Sequence, residues 1–200
     1  MAKTPGKRQL SSEMKRELII KKSMELFKEY GYEKITISDI CTECSINVGT
    51  LYHHFGSKFG ILQAISAKMS VSGILSENIS EKACNPYESL MKFFIDYAAR
   101  WKELGTDLSM QIYRNFAKIY IDPKTSATRE SDALKELQLF IKEAQKKGSF
   151  DQSVDPSETA YMFILLGRGI VFDWCLQNNI YDLSEKSLEV MKRIVKSFII

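Results

Sequence analysis

Apolar residues recur along this chain at intervals of three and four, the spacing that keeps side chains on one face of an α-helix. Ile19, Ile20, Met24, Leu26, Phe27 and Tyr30, with the small Ser23 among them, form the first stripe; Lys and Glu fill the other face. The stripe predicts a helix from about Ser12 to Tyr30. Gly31 follows it, suited to the left-handed backbone that closes many helices. A short pattern then opens at Thr36 and ends near Cys44. The Thr36 hydroxyl can cap it, and Asp39 stands where a capping box usually has Glu. Ser45 and Ile46 form a turn, Asn47 to about Phe55 a third helix, and Gly56 a break. Ser57 is expected to cap a long fourth helix reaching about Ser80.

The remainder also reads as helices. Asn85-Pro86 places a cap before a proline that fits the first helical position, and opens a helix ending near Gly105. Others are expected over about Asp107–Ile121 and Ser126–Lys147. Asp155-Pro156 opens a very apolar helix to about Asn178, and the last runs from Leu183 or Ser184 almost to Ile200. Alternating strand patterns and hairpin signals are missing from the sequence. The expected fold is all-α: a basic arm and three-helix unit over residues 1–56, with residues 1–10 disordered, then a larger helical body over 57–200.

Net charge is +3, and its location matters more than its size. Residues 1 to 60 hold ten Lys or Arg against seven Asp or Glu, whereas residues 61 to 200 hold eighteen of each. The excess at the N-terminal end favours a polyanionic partner. The basic, polar N-terminus has no apolar segment of a secretory signal. The run Tyr161–Leu166 is far short of the ~20 residues of a membrane span. A cytoplasmic protein without membrane partner is expected. Cys41 and Cys44 form a CxxC, but no second CxxC accompanies it and the only histidines are the adjacent His53 and His54. Both thiols share a helical face with Ile40, where cysteine acts as a small apolar residue. No metal or cofactor is expected.

The segment from Ile35 to Leu62 carries the chemistry. A DNA-reading helix must present its N-terminal end to the major groove, bury its back face, and be flanked by phosphate contacts. Val48, Leu51 and Phe55 recur on one face and suit packing on the first helix. Asn47, Thr50, Tyr52, His53 and His54 lie off it. Gly49 allows close approach to DNA, Thr36 opens the second helix where free N–H groups attract phosphate, and Lys58 adds a charge. No GxSxG or phosphate loop appears, and the histidines lie outside the body, so an enzyme is not expected. A helical small-molecule-binding or interaction protein without DNA binding remains the alternative.

The pattern Leu26-Phe27, Gly31-Tyr32, Ile35-Thr36, Asp39-Ile40, Gly49-Thr50-Leu51-Tyr52-His53-His54-Phe55 and Ser57-Lys58 resembles the tetracycline-repressor (TetR) family of bacterial transcription regulators. The resemblance in motif covers about residues 15 to 62. It implies a three-helix DNA-binding unit followed by a divergent helical body that binds a ligand and dimerises. By position, Thr36, Thr50, Tyr52, His53 and Lys58 would contact the DNA backbone, and Asn47, Val48 and Gly49 would begin the recognition helix. Three departures stand out. Cys41 and Cys44 replace small residues, Ser45 replaces a frequent Gly, and Phe59-Gly60 replaces a commonly acidic pair, so that the fourth helix is expected to start loosely.

Aromatic residues load the body. Phe94, Tyr97, Trp101, Tyr113, Phe116, Phe163 and Trp174 are the candidate lining of a largely apolar effector site, although aromatic stripes more often form core. The last two helices are the candidate homodimer contact. Ala160, Leu165, Gly167 and Gly169 would allow close approach, and Leu188, Met191, Val195, Phe198 and Ile199 would add apolar area. The implied function is a dimeric repressor released from a palindromic double-stranded DNA operator by a small-molecule effector.

Overall fold

A computed structural model describes residues 7–68, 74–121 and 132–200, with side chains described for 11–68, 74–115 and 132–200. The described residues form helices with one isolated antiparallel bridge, Phe150 to Ile199. The chain divides into two compact units, Met1–Lys68 and Met69–Ile200.

In the first unit α1 (Lys7–Tyr30) packs against α2 (Ile37–Cys44) and α4 (Lys58–Lys68), and α3 (Val48–Phe55) packs on α2 and α4. The helix α1 begins earlier than the sequence pattern indicates: residues 7–10 have helical backbone rather than belonging to a disordered arm. Ile19, Ile20 and Phe27 of α1 are buried with Ile40, Leu51, Ile61, Leu62 and Ile65. Those last three lie on α4, which accounts for a division after Lys68 where the sequence pattern placed it at 56/57.

The expected loose start of α4 is not what the fold contains. Ser57 Oγ accepts from the Gly60 backbone N–H at 3.0 Å. A Cβ built on Gly60 would lie 1.9 Å from the Phe55 carbonyl oxygen. Only glycine permits this approach, so Phe59-Gly60 marks a tight junction between α3 and α4. Nor is α4 a single helix to Ser80: residues 74–78 form a turn with Asn78 left-handed (φ 53°), followed by the short α5 (Ile79–Lys82).

The second unit contains α5, α6 (Pro86–Leu104), α7 (Thr106–Ile121), α8 (Asp132–Lys146), α9 (Pro156–Leu176) and α10 (Leu183–Lys196). The expected start of α8 near Ser126 lies outside the described residues. Helix α6 packs on α10, and α8 on α9. The caps fall where the sequence puts them. Asn85 accepts from the Glu88 N–H, and Asp155 from those of Ser157 and Glu158. Asp182, which the sequence pattern did not single out, caps α10 through Ser184 and Glu185. Leu90, Phe93, Phe94, Leu137, Phe140, Phe163, Met191 and Val195 form one core. By length and composition α9 is apolar enough to cross a bilayer. Ala160, Phe163 and Ile164 nevertheless pack it into this core, and Val171 is buried as well.

Candidate nucleic-acid interface

Two side-chain caps shape the reading segment. The Thr36 hydroxyl accepts from the Asp39 N–H at 3.2 Å, and Asp39 Oδ2 accepts from the Thr36 N–H at 2.8 Å and from its hydroxyl at 2.7 Å. This is the full capping box foreshadowed by the TISD spacing. Hydrogen bonds to Thr36 hold the Asp39 carboxyl below its ordinary pKa. After Cys44 the chain turns through Ser45, left-handed at φ 53°, whose N–H bonds the Thr42 carbonyl. Asn47 then caps α3: its Oδ1 accepts from the Thr50 N–H at 2.7 Å and the Thr50 hydroxyl at 2.9 Å.

These caps assign hydrogens as well as backbone shape. A carboxylate or amide oxygen can only accept, so the hydroxyl hydrogens of Thr36 and Thr50 are committed to Asp39 and Asn47. A phosphate, also an acceptor, would compete with the caps for them.

The back face of α3 differs from its sequence pattern. Leu51 is fully buried and Phe55 half-buried, but Val48 is 46% exposed. Position 48 therefore lies outside the anchor, on the outer surface with Asn47, Gly49, Tyr52 and His53, all exposed. Thr36 is exposed too, and Thr50 half-buried. Lys58 is partly buried, its Nζ 4.3 Å from the Tyr32 ring centroid and 5.8 Å from that of Phe27. Burial lowers its pKa, against the opposing pull of Glu33 and Asp39. The aromatic pair fixes where this charge sits.

A concavity of about 440 Å³ joins the start of α1 to α3, lined by Ser11, Ser12, Lys15, Asn47, Gly49, Thr50, His53 and His54. Ser11, Ser12 and Lys15 were not singled out by the sequence pattern as contact residues. The usable signal was the basic, serine-containing opening of α1. Burial lowers the His54 pKa, and its neighbours His53, Arg16 and Lys15 lower it further, favouring the neutral imidazole. Arg16 lies over the Phe55 ring at 5.4 Å.

Cys41 and Cys44 are free thiols, each 6% exposed. Burial pushes Cys44 up to about 11, so it remains an un-ionised packing group. No group of three or more metal-ligating side chains occurs among the described residues.

In the second unit the seven candidate lining residues separate. Phe94 and Phe163 are core, meeting edge-to-face at 5.8 Å. The side chain of Phe116 lies outside the described residues. Trp174 is buried on α9. Tyr97, Trp101 and Tyr113 come together. Trp101 stacks on Tyr113 at 5.5 Å and leans on Tyr97 at 6.2 Å, and Phe172 closes the group against Tyr113 at 5.4 Å. The Tyr113 hydroxyl donates to the Arg168 carbonyl at 3.0 Å, and burial raises its pKa. The Trp101 indole N–H is buried with no hydrogen-bond partner among the described residues.

Residues 19–65 match the family described as bacterial regulatory proteins, tetR family. The HTH-type transcriptional regulator UidR of Escherichia coli K12 is 24% identical over 179 residues, covering 82% of this chain and 84% of UidR. IcaR of Staphylococcus aureus Newman, a negative regulator of the biofilm operon icaADBC, is 26% identical over 161 residues, covering 68% of this chain and 86% of IcaR. The solved structure of Thermus thermophilus FadR, a TetR-family repressor in complex with lauroyl-CoA, superposes with a TM-score of 0.66 at 19% identity. It covers 90% of this chain and 93% of FadR.

Proposed function

We propose that this chain, a member of the tetR family of DNA-binding transcriptional regulators, is a dimeric repressor released from a palindromic operator by a small-molecule effector. The observation that carries the reading is the outer end of α3. Asn47, Val48 and Gly49 stand exposed at its start, backed by buried Leu51 and bordered by the basic concavity at Lys15. Asn47, Val48 and Gly49 face the bases. Tyr52, His53 and Lys58, with Thr36 and Thr50 at the capped helix starts, hold the phosphates.

Two reading helices about one DNA turn apart (~34 Å) require a second copy. The α9 face supplies an apolar surface for it: Tyr161, Leu165, Phe172 and Leu176 are exposed at helical spacing, around Gly169. Helix α10 contributes less than its stripe promised, because Met191 and Val195 close the core of their own unit. Its exposed residues are the charged Glu185, Lys186, Glu189, Lys192, Arg193 and Lys196. Ala160 and Gly167 likewise face inward, and a Cβ at Gly167 would lie 3.3 Å from the Tyr97 ring.

The effector is a small, largely apolar molecule taken up by the body, with Tyr97, Trp101 and Tyr113 as its aromatic contact and the Trp101 N–H as a polar point. The lauroyl-CoA of FadR supports a small-molecule role without naming this ligand. An effector that binds better to a conformer with the wrong helix spacing releases DNA, because only differential affinity shifts such an equilibrium.

The test is a gel shift on DNA flanking the gene's own start, with a salt titration. Affinity should fall steeply with salt. Tyr52→Ala should weaken binding to every sequence and flatten the salt slope if Tyr52 seats a phosphate-bound register. Binding unchanged by Tyr52→Ala and Lys58→Ala would remove both from the interface.

A further inference from the structure

Asn47 is both a helix cap and a candidate reader, and the cap restricts what it can read. A backbone N–H must point at an acceptor, so the 2.7 Å bond from Thr50 N fixes the carboxamide oxygen inward. The Thr50 hydroxyl donates to the same oxygen at 2.9 Å. Two donors therefore occupy Oδ1, and the part of the carboxamide left outside the cap is the NH₂ group, which can only donate. Asn47 is exposed, so that group is presented to the surface.

We infer that Asn47 is a specificity-determining residue that reads a hydrogen-bond-accepting base edge, guanine above all, through its NH₂ group while its oxygen caps α3. The inference rests on the reading that α3 enters the major groove. An asparagine free to rotate would grip adenine with both ends, its oxygen accepting from N6 and its NH₂ donating to N7. Here that grip would cost the helix its cap. Guanine presents O6 and N7 side by side as acceptors and no donor, matching a donor-only group. Thymine O4 and adenine N7 each offer one acceptor. Cytosine presents its N4 amine as a donor, which faces the NH₂ group donor to donor and is rejected. The expected order at the contacted position is guanine, then thymine and adenine, then cytosine.

The substitutions that test this keep the cap and change the outward chemistry. Aspartate and serine are both good N-caps. Asn47→Asp presents an acceptor and should reverse the preference toward cytosine; Asn47→Ser should flatten it. The experiment selects bound operators from a pool randomised around the wild-type site, using the full chain and both variants, with circular dichroism melting as the check on folding. Wild type should favour guanine over cytosine by about tenfold at one position per half-site, as expected for a good base contact. In Asn47→Ser that ratio should fall to about threefold or less, with other positions unchanged. Should the added negative charge make Asn47→Asp too weak to select, the serine variant decides the matter alone.

A purely structural cap would leave base preference unmoved in both variants, and that result overturns the inference. So does a wild-type preference for cytosine or adenine at the position the variants change. Binding of a defined operator with no variant-dependent position sinks this inference alone. Failure of the wild-type chain to bind any DNA sinks the proposed function, and this inference with it.

Discussion

Helices α2 and α3 are eight residues each, too short to persist by intrinsic propensity. Each is opened by a side-chain cap and anchored by very few buried residues: Ile40, Cys41 and Cys44 on one, Leu51 on the other. Helices α6 and α9 run 19 and 21 residues and bury eight residues each. Helices α2 and α3 thus present exposed polar groups and rely on caps and, at the end of α3, a close glycine contact. Helices α6 and α9, though capped, rely on aromatic and aliphatic burial. A surface that must meet DNA cannot also be buried, so local hydrogen bonds fix the shape that packing fixes elsewhere.

The largest test of this contrast is Phe163→Ala. The ring is fully buried between Phe94 and Phe198, so its removal should destabilise the second unit by about 3–5 kcal/mol in chemical denaturation. A loss below about 1 kcal/mol would show that the body does not depend on this core.

Gly60→Ala comes next. Its Cβ would collide with the Phe55 carbonyl, so the α3–α4 junction must shift, at a cost of about 1–3 kcal/mol. Gly49→Ala is the control, since its Cβ meets only Asn47 Oδ1 at an ordinary 3.4 Å. It should leave melting unchanged while weakening DNA binding. Equal stability effects at the two glycines would refute the junction argument.

Thr36→Ala and Asn47→Ala should each cost about 1 kcal/mol of stability through the lost cap. Ser45→Gly should act in the opposite direction by a few tenths to about 1 kcal/mol, because Ser45 carries a side chain in a left-handed turn. Thermal melts of the three variants give the signs directly.

The smallest effect is the pH dependence of the capping box. The Asp39 pKa is lowered by its bonds from Thr36, so its contribution is present above the unfolded value near 3.8 and fades as pH falls through the lower folded value. Asp39→Asn should flatten that acid limb and leave the rest of the pH profile alone. A profile that still loses stability as steeply below about pH 4 would assign the acid limb to other carboxylates.

Much of this was legible in the sequence because it is local. Thr36 with Asp39, Asn47 with Thr50, and the Asn85-Pro86 and Asp155-Pro156 starts are signals within three residues of the bonds they make. The errors came where contact is distant or one helical face is ambiguous. Val48 fits the apolar period of α3 but faces outward. Phe94 and Phe163 look like pocket aromatics but fill core. Met191 and Val195 look like dimer stripe but close their own unit. Period alone says that a face is apolar, not what covers it.

The sequence by itself determined that the chain is helical, that a short capped pair of helices near its start resembles a DNA reader, and where most helices begin. Caps, turns and helical periods act over a few residues and are written in adjacent letters. Only the tertiary structure decided that Gly60 must be glycine and that Lys58 is held over Tyr32. It also decided that Lys15 and His54 join Asn47 at one concavity, and that Tyr97, Trp101 and Tyr113 separate from the core aromatics. Those outcomes depend on which residues meet through space, and the sum of burial and close packing over many helices settles them.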